Sequence, residues 1–465
     1  MAEDRNRKTS RSRLDELVNR LREDIISGRL SPGDFLPSER EFAKRYQLSN
    51  ISVRKGLEIL VNEGLISKIP RVGNKVIGPP GADGLIHLNF GYHSSIPREA
   101  AIDQLLEQFH ELYPHIRVNA LAYANEHPMV VKQFMENGLF DVITVNYDHY
   151  CSYKENSMLD VLEPLKPDPD IYPFLTEAYT AGQKLYVQPF LFSPVILCYN
   201  REHFTEQNMH EPDASWNWEK LFETALKLSQ PGERLGFYFH FLSANRWTVF
   251  LLQRGGAFER GPDSRIRIAG TEMAEAFRFC RNIQEHFPAL SSKIGNGDAE
   301  QLFAQGKVSM LLTSYTNLNF LKDKPVTFEL SPVPHFGDPK TLLMSIGLAV
   351  SRHSQQKEAA LALVRFLTSY DAQLAIRQKT YSLPACKPAA EWQGKEQIFR
   401  PSRFSLFREI IPSFRHFTAL NIGNRELRII ERDVRLYWAG LENENDFFSR
   451  MEELLSDPEY SVAVI

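Results

Sequence analysis

Apolar side chains recur at helical spacing near the start of the chain. The first series consists of Leu14, Leu17, Val18, Leu21 and Ile25. Steps of three or four residues place these side chains on one face of a helix, which predicts an amphipathic helix packed against a core. Residues 31–34, Ser-Pro-Gly-Asp, have the composition of a turn that ends this segment.

Two shorter helices are predicted next, each with its own start signal. Ser38 and Glu41 have the spacing of a capping box, in which the hydroxyl and the carboxylate each satisfy a backbone amide. Ser49 is suited to cap the following helix, and Gly64 lies where a left-handed residue would end it. A tight turn at 47–48 joins the two. This order predicts a helix-turn-helix, whose second helix meets base edges in the DNA major groove.

A β-hairpin is predicted directly after the helix-turn-helix. Residues 65–69 and 75–77 form short strands around a turn with Gly73 at its tip. Three helices followed by a hairpin make an α+β winged helix-turn-helix, which we call the head and assign to residues 14–78. Residues 1–13 form a basic tail before it, and residues 79–84 have the Pro/Gly composition of a linker.

The charge distribution separates this segment from the rest of the chain. Residues 1–78 contain 16 Lys or Arg and 11 Asp or Glu, a net charge of +5, whereas the remainder carries −9. A basic segment on an acidic chain predicts a polyanionic partner for that segment alone. The tail is interpreted either as a disordered, solvated segment or as an arm that contacts DNA phosphates.

The head has a specific family resemblance. The stretch LSPGDFLPSEREFAKRYQLSNISVRKGLEILVNEGLI, with its PSERE and SVRxxLxxL segments, resembles the winged-helix domain of GntR-family transcription regulators. In that family the Arg of the SERE segment, the first turn of the recognition helix and the wing contact DNA. The resemblance therefore implies these DNA-binding residues: Arg40, Ser49, Asn50, Ser52, Arg54, Lys55, Arg71, Gly73 and Lys75. Asn50 stands where the family often has Arg, and the 70–74 wing departs from the family's Gly- and Arg-rich pattern, so a different base preference is expected.

A second fold is predicted from residue 85 onward. Residues 85–90, 116–121 and 141–145 are apolar strand-like runs, and 101–112 is an amphipathic helix between the first two. Alternation of strands and helices predicts an α/β layer with a mainly parallel sheet. We call residues 85–465 the body.

The body also resembles a known family. FHELYPHIRVNAL, LFDVITVN, LEPLKP, KLYVQPFLFSPVILCYNREHF, FAQGKVSMLL and GLAVSRHSQQKEAALALVRFLTS resemble, in this order, the extracellular solute-binding proteins of ABC importers, the class that includes maltose-binding-type proteins. The resemblance implies a two-lobed α/β, periplasmic-binding-protein-like (type 2) fold with a ligand cleft. The chain is expected to cross between the lobes near 186–199 and again near 308–334, and ligand binding to close the lobes about these hinges.

Candidate ligand residues follow from the chemistry of sugars. Sugar hydroxyls require amides, carboxylates or Arg, and sugar ring faces require aromatic platforms. Residues of these types in predicted loops and hinges are Tyr92, His93, Asn146, Tyr147, Asp148, Phe190, Asn245, Arg246, Trp247 and Tyr315. Each aromatic residue has an alternative interpretation as a core residue.

The sequence indicates no enzyme, cofactor or metal site. P-loop, GxSxG, HExxH and GxGxxG motifs in the required contexts are not found, and the 13 His residues lack metal-ligand spacing. Cys151, Cys198, Cys280 and Cys386 are dispersed and are expected to be reduced and buried. Neither a membrane span nor a secretory signal is recognised, so a cytoplasmic protein is expected.

Three functional hypotheses follow. The first is a cytoplasmic, homodimeric regulator that binds operator double-stranded DNA and senses a small molecule, a carbohydrate, in its body. In the second, the body binds no ligand and serves as a dimerisation scaffold. The third is a sugar-binding protein of a transport system with a vestigial head. A thermal-shift response to sugars separates the first from the second, because a ligand that binds only the folded state raises its stability.

Overall fold

The computed structural model describes residues 10–26, 29–30, 33–62, 65–69, 73–77, 85–123, 128–263, 265–287 and 297–457. The first nine residues of the predicted tail, the wing residues 70–72 including Arg71, and the predicted linker lie outside the described residues. The chain divides into two compact units. One comprises residues 1–88 and 110–119, and the other comprises 89–109 and 120–465.

The head folds as a winged helix-turn-helix, as predicted. Its elements are α1 Ser10–Ile26, α2 Glu39–Tyr46, α3 Asn50–Asn62, β1 Ile66–Ile69 and β2 Gly73–Val76. β1 and β2 pair antiparallel, with Ile66 opposite Val76. Residues 10–13, which we assigned to the tail, are part of α1.

Local signals set the helix boundaries of the head. The predicted capping box is present, since the Glu41 amide donates to Ser38 Oγ and the Ser38 amide donates to the Glu41 carboxylate. α2 ends at Gln47, which adopts a left-handed conformation. Gly56 allows α1 and α3 to pack closely, because a Cβ there would lie 2.8 Å from a Leu14 methyl carbon.

The body consists of alternating helices and strands. Its strands are β3 Ile86–His93, β4 Ile116–Tyr123, β5 Val142–Asn146, β6 Thr180–Ala181, β7 Lys184–Leu185, β8 Gln188–Asn200, β9 Leu235–Tyr238, β10 Glu259–Arg260, β11 Ile266–Arg267, β12 Val308–Ser314, β13 Phe328–Ser331, β14 Thr341–Val350, β15 Leu383–Pro384 and β16 Phe414–Arg415. Its helices are α4 Ile96–Ala100, α5 Ile102–Leu112, α6 Pro128–Glu136, α7 Tyr147–Glu155, α8 Pro173–Ala178, α9 Arg201–Glu206, α10 Trp218–Leu228, α11 Ala244–Phe250, α12 Glu272–His286, α13 Asp298–Ala304, α14 Lys357–Leu367, α15 Tyr370–Lys379, α16 Lys387–Ala390, α17 Leu406–Glu409, α18 Asn424–Trp438 and α19 Glu444–Ser456. A π-helical turn, Leu251–Gly255, continues α11.

The main sheet is mixed, and the prediction of a mainly parallel sheet was wrong. The strands run in the order β4-β3-β5-β14-β8-β12-β9. β3 pairs with β5, and β12 with β9, in parallel, as expected for strands joined through helices. β14 and β8, however, pair antiparallel with each other and with their outer neighbours β5 and β12.

β8 and β14 join the two halves of this sheet. β8 is 13 residues long and buried throughout; its first part pairs with β14 and its second part with β12. β8 lies largely within the range 186–199, where the first crossing between the lobes is predicted, and both crossings stay predictions. Within the second predicted crossing, 308–334, β12 pairs with β8 and β9, whereas β14 pairs with β5 and β8.

The body core is rich in aromatic side chains. Trp218, Trp247 and Trp438 are among its largest buried residues. The four cysteines are free and buried, as predicted. Within the described part of the chain, no helix combines the length and the apolar character needed to cross a membrane.

Candidate DNA-reading face and ligand cleft

The start of α3 forms the candidate DNA-reading face of the head. Ser49 caps the helix, since its Oγ accepts a hydrogen bond from the Ser52 amide at 3.1 Å. Asn50, Arg54 and Lys55 on α3 are exposed, as is Arg40 on α2. In the wing, Gly73 is exposed and Lys75 lies 6.0 Å from the ring centroid of Phe35.

Arg54 is already oriented in the free head. Its Nε and Nη2 donate to the two carboxylate oxygens of Glu39 at 3.3 and 2.9 Å. This hydrogen bond lowers the pKa of Glu39. A bidentate contact holds a guanidinium in a defined plane. Glu39 on α2 therefore positions Arg54 on α3.

Ile51 is a candidate DNA contact that was not among the sequence predictions. It lies in the first turn of α3 and its side chain is 70% exposed. An apolar side chain at this place is suited to contact a thymine methyl group in the major groove. Ile51 does not lie on the helix face that carries the buried Val53 and Leu57, so its exposure could have been predicted from the sequence.

The body contains a cavity of about 740 Å³, which we call the cleft. Its walls come from strand ends and helix starts. His93 ends β3, Asn146 ends β5 and Tyr147 begins α7. Further walls come from β8, the start of α11, the segment after β12, the middle of β14 and helix α18. The cleft thus borders both strands that join the two halves of the sheet.

Six of the ten predicted ligand residues line the cleft. They are His93, Asn146, Tyr147, Asp148, Asn245 and Arg246. These residues fall into three segments that are far apart in the sequence, so their proximity is a product of the fold.

Three predicted platforms are instead core residues. Trp247 is fully buried and packs edge-on against Trp438 at 5.7 Å between ring centroids. The buried Tyr315 hydroxyl donates to the Phe404 carbonyl at 2.8 Å. Phe190 is buried within β8. Because α11 is helical, Arg246 faces the cleft while its neighbour Trp247, about 100° further round the helix, faces the core.

Two other predicted aromatic residues have partners within the protein. Tyr92 is half-buried beside Phe90, 5.8 Å between centroids, and does not line the cleft. Tyr147 lines the cleft, but His416 stacks on its ring at 3.9 Å. Its hydroxyl lies 3.1 Å from Thr418 Oγ1. Tyr147 is therefore better suited to offer an edge or its hydroxyl than a free ring face.

Several cleft residues were missed in the sequence. They include Arg98, Glu99, Ser193, His240, Thr316, Asn317, Arg428 and Glu431. Thr316 and Asn317 are polar residues that closely follow the end of strand β12. Other ligand candidates were chosen because they follow predicted strands, and the same criterion could have identified these two. Glu99, on the short helix α4, and the α18 residues carried no comparable signal, because only the tertiary fold brings their helices to the cleft.

The cleft lining contains buried polar atoms that have no hydrogen-bond partner among the residues that the structure describes. They are Asn146 Oδ1, Glu99 Oε2 and His240 Nδ1. Burial raises the pKa of Glu99, and burial together with Arg246 lowers the pKa of His240. Buried polar atoms are normally hydrogen-bonded, so unpaired atoms around one cleft favour a polar ligand. Ligand hydroxyl groups are candidate partners for them.

Ion pairs also line the cleft. Arg428 on α18 contacts Asp148 on α7 at 2.6 Å and Glu431 at 3.0 Å. Asp148, a predicted ligand residue, is thus partly engaged by Arg428. Helix α7 also caps α18, because the Glu155 carboxylate accepts hydrogen bonds from the Asn424 and Arg425 amides.

Two family models match the chain in separate regions. Residues 93–374, more than half of the chain, match the family described as bacterial extracellular solute-binding proteins. The chain belongs to this solute-binding protein family. Residues 14–76 match the family described as bacterial regulatory proteins, gntR family. The chain therefore combines a GntR-type head with a solute-binding body, as the resemblances predicted.

Curated relatives match one region each. Over 64 residues the chain is 39% identical to the HTH-type transcriptional repressor NagR of Bacillus subtilis, covering 14% of this chain and 26% of the relative. Over 288 residues it is 21% identical to the galactooligosaccharide-binding protein of the same organism, covering 57% of this chain and 66% of the relative. The chain thus spans less than two thirds of the length of each.

Solved structures share the fold of the body. The ABC substrate-binding protein of Listeria monocytogenes in complex with cycloalternan superimposes with a TM-score of 0.65 at 19% identity, covering 80% of this chain and 98% of that chain. The Thermus thermophilus maltotriose binding protein gives 0.62 at 19% identity, with 79% and 99% coverage. These similarities show a maltose-binding-type two-lobed α/β body.

Proposed function

We propose that the chain is a DNA-binding transcription regulator whose operator affinity is controlled by a carbohydrate bound in the cleft. The observation that carries this proposal is the combination, in one chain, of a GntR-type head and a solute-binding body. The head has exposed polar residues at the start of α3. The body has a cleft of about 740 Å³ with unpaired polar atoms in its lining.

DNA binding is assigned to the head residues predicted from the sequence, together with Ile51. Arg54 and Asn50 would read base edges from the first turns of α3, and Arg40 and Lys75 would contact phosphates. Such motifs commonly act as dimers on two half-sites, so a homodimer is part of the proposal. A protein that reads DNA must share a compartment with it, which gives a cytoplasmic location.

A carbohydrate is the proposed ligand class for two reasons. Solved neighbours of the body are in complex with cycloalternan or bound with maltotriose. The cleft lining also combines amides, hydroxyls and charged groups, among them Asn146, Asn245, Thr316 and Asn317. Sugars present many hydroxyl groups, and a site with many polar partners can satisfy them.

Ligand binding would act through the relative position of the two halves of the body. β8 and β14 are the two long strands that join these halves, and both contribute to the cleft. Closure about such strands is a hinge motion. Because coupling is reciprocal, a sugar that changes operator affinity by some factor must have its own affinity changed by the same factor when operator DNA is bound.

The test begins with the operator. Selection of binding sites from random DNA with the full chain would define it, and fluorescence anisotropy would measure its affinity with and without each sugar of a mono- and oligosaccharide panel. We expect at least one sugar to raise the melting temperature and to change operator affinity. A panel in which sugars stabilise the chain but leave operator affinity unchanged would refute ligand control. If no sugar stabilises the chain, the scaffold hypothesis replaces it.

A further inference from the structure

Arg246 is unusual among the charged residues of the cleft. It is the third residue of α11, lines the cleft, and is only 6% exposed. Its Nη1 donates to the Asn245 carbonyl at 2.9 Å. Its Nε and Nη2 have no partner among the described residues. Buried Arg side chains are normally paired, because an uncompensated buried charge is strongly unfavourable.

The other cleft arginines have compensation that Arg246 lacks. Arg98 lies 3.6 Å from the Glu99 carboxylate and 3.8 Å from the Phe320 ring centroid. Arg428 pairs with two carboxylates, as described above. Arg435 is exposed to solvent. Within the described part of the chain, Arg246 is therefore the cleft arginine that is both buried and without a carboxylate in contact.

Glu300 is the acidic residue whose charge attracts the Arg246 guanidinium, but the two side chains do not form an ion pair. Its attraction opposes the lowering of the Arg246 pKa that burial causes. The Glu300 Oε1 atom instead accepts hydrogen bonds from Thr313 Oγ1 and Asn317 Nδ2, at 2.6 and 3.0 Å. No Arg246–Glu300 ion pair exists among the described residues.

The charge balance of the cleft points in the same direction. Its lining contains four arginines and three carboxylates. The arginines are Arg98, Arg246, Arg428 and Arg435, and the carboxylates are Glu99, Asp148 and Glu431.

We propose that Arg246 anchors a carboxylate of the ligand, so that the cleft takes an acidic carbohydrate. This inference rests on the proposed function and narrows its ligand class. A guanidinium presents parallel N–H donors that match the two oxygens of a carboxylate. The hydroxyls of the same ligand would meet neighbouring groups of the lining, including Asn245 and Asn317.

A carboxylate suits this site better than a phosphate monoester. Arg246 supplies one desolvated positive charge. His240, the neighbouring titratable group, is favoured in its neutral form and so adds no second charge. A phosphate monoester carries a charge of about −1.5 to −2 near neutral pH and would remain partly uncompensated here. Sugar phosphates share the anionic chemistry, however, and form a separate arm of the test.

The experiment uses matched sets of probes with the full chain. Each set contains a hexose, its hexuronate and its 6-phosphate, on the glucose and galactose frameworks, and each binding constant is measured by calorimetry at fixed ionic strength. We expect one hexuronate to bind at least tenfold more tightly than its parent hexose and to raise the melting temperature. A 6-phosphate that binds more tightly than the hexuronate would overturn the choice of a carboxylate.

Substitution of Arg246 tests the assigned residue. Arg246→Met retains much of the side-chain length and removes the charge, so the preference for hexuronate over hexose should fall at least tenfold, with hexose affinity little changed. Arg246→Lys retains the charge but not the parallel N–H donors of the guanidinium, and should retain part of the preference for hexuronate over hexose. Arg352→Met, an exposed residue outside the cleft, is the control and should leave the preference unchanged.

Failure of this inference is distinguishable from failure of the proposed function. Hexose binding as tight as hexuronate binding, or equal losses for both probes in Arg246→Met, would overturn the anionic anchor. Binding by none of these probes would overturn it too. In each of these cases, a neutral sugar from the wider panel that still controls operator affinity would support the proposed regulation.

Discussion

The head and the cleft differ in how their functional residues are placed. In the head, the candidate DNA-reading residues around α3 lie within a short stretch of sequence, and α2 and α3 each have their own capping residue. In the cleft, His93, Asn146, Arg246 and Arg428 come from distant parts of the chain and meet only after the sheet has formed. Interactions between residues close in sequence therefore form the DNA-reading face, whereas packing between distant parts of the chain forms the cleft.

The same contrast explains why several aromatic candidates for ligand contact lie in the core, whereas the polar candidates line the cleft. An aromatic ring gains free energy by burial wherever it lies, so Trp247, Phe190 and Tyr315 entered the core. Polar side chains are costly to bury, so Asn146, Asn245 and Asp148 remain at the cleft. Substitutions in both regions test this contrast, and the largest effect is expected at Trp247.

Trp247→Ala should act on stability. Removing a fully buried Trp that packs on Trp438 should lower the free energy of unfolding by about 3–5 kcal/mol. Chemical unfolding of the full chain, followed by the transition of the body, measures this. Leu441→Ala, at a residue 78% exposed, is the control and should change stability by less than about 0.5 kcal/mol. A stable Trp247→Ala variant that has lost sugar binding would instead favour a ligand platform.

Arg54→Ala should act on recognition. Losing a base contact should weaken specific operator binding by about 1–3 kcal/mol and relax discrimination at one base position. Binding to specific and random DNA would be compared by anisotropy. Arg29→Ala, an exposed Arg of the head paired with Asp24, is the control and should retain the specificity ratio. An unchanged ratio in Arg54→Ala would exclude base reading by this residue.

Ser38→Ala should weaken the head locally. Loss of the N-cap hydrogen bond to the Glu41 amide should destabilise α2 by about 1 kcal/mol. Amide hydrogen exchange should accelerate in the head but not in β8 of the body. Equal acceleration in both regions would contradict the local origin of this stability.

Glu99→Gln should change the pH dependence of the body. Burial raises the pKa of Glu99, so the folded chain holds this proton to higher pH than the unfolded chain. The contribution of Glu99 to stability is therefore complete below the unfolded pKa near 4.5 and is lost as pH rises from there through the folded pKa. Unfolding from about pH 4 to about pH 7 should show a smaller fall in stability for Glu99→Gln. The exposed Glu358→Gln should follow the parent, and identical curves for all three chains would refute the effect.

Much of the architecture could be predicted from the sequence. The three helices of the head, its capping box and its hairpin follow from residues that interact within a few positions. In the body the first strands and the helix near 101–112 were also predicted. The sheet directions were not, because antiparallel pairing of β8 and β14 depends on contacts between strands about 150 residues apart.

The sequence by itself determined that this chain carries a GntR-type head and a solute-binding body, because both families can be recognised from local patterns of apolar spacing, caps and strand ends. Only the tertiary structure decided which side chains face the cleft. In α11 the neighbours Arg246 and Trp247 were equal candidates, and the helix turned one towards the cleft and the other into the core. The physical reason is that the packing of a helix against the sheet decides which of its side chains face the cleft and which face the core. This packing involves distant parts of the chain, so a short stretch of sequence cannot predict it.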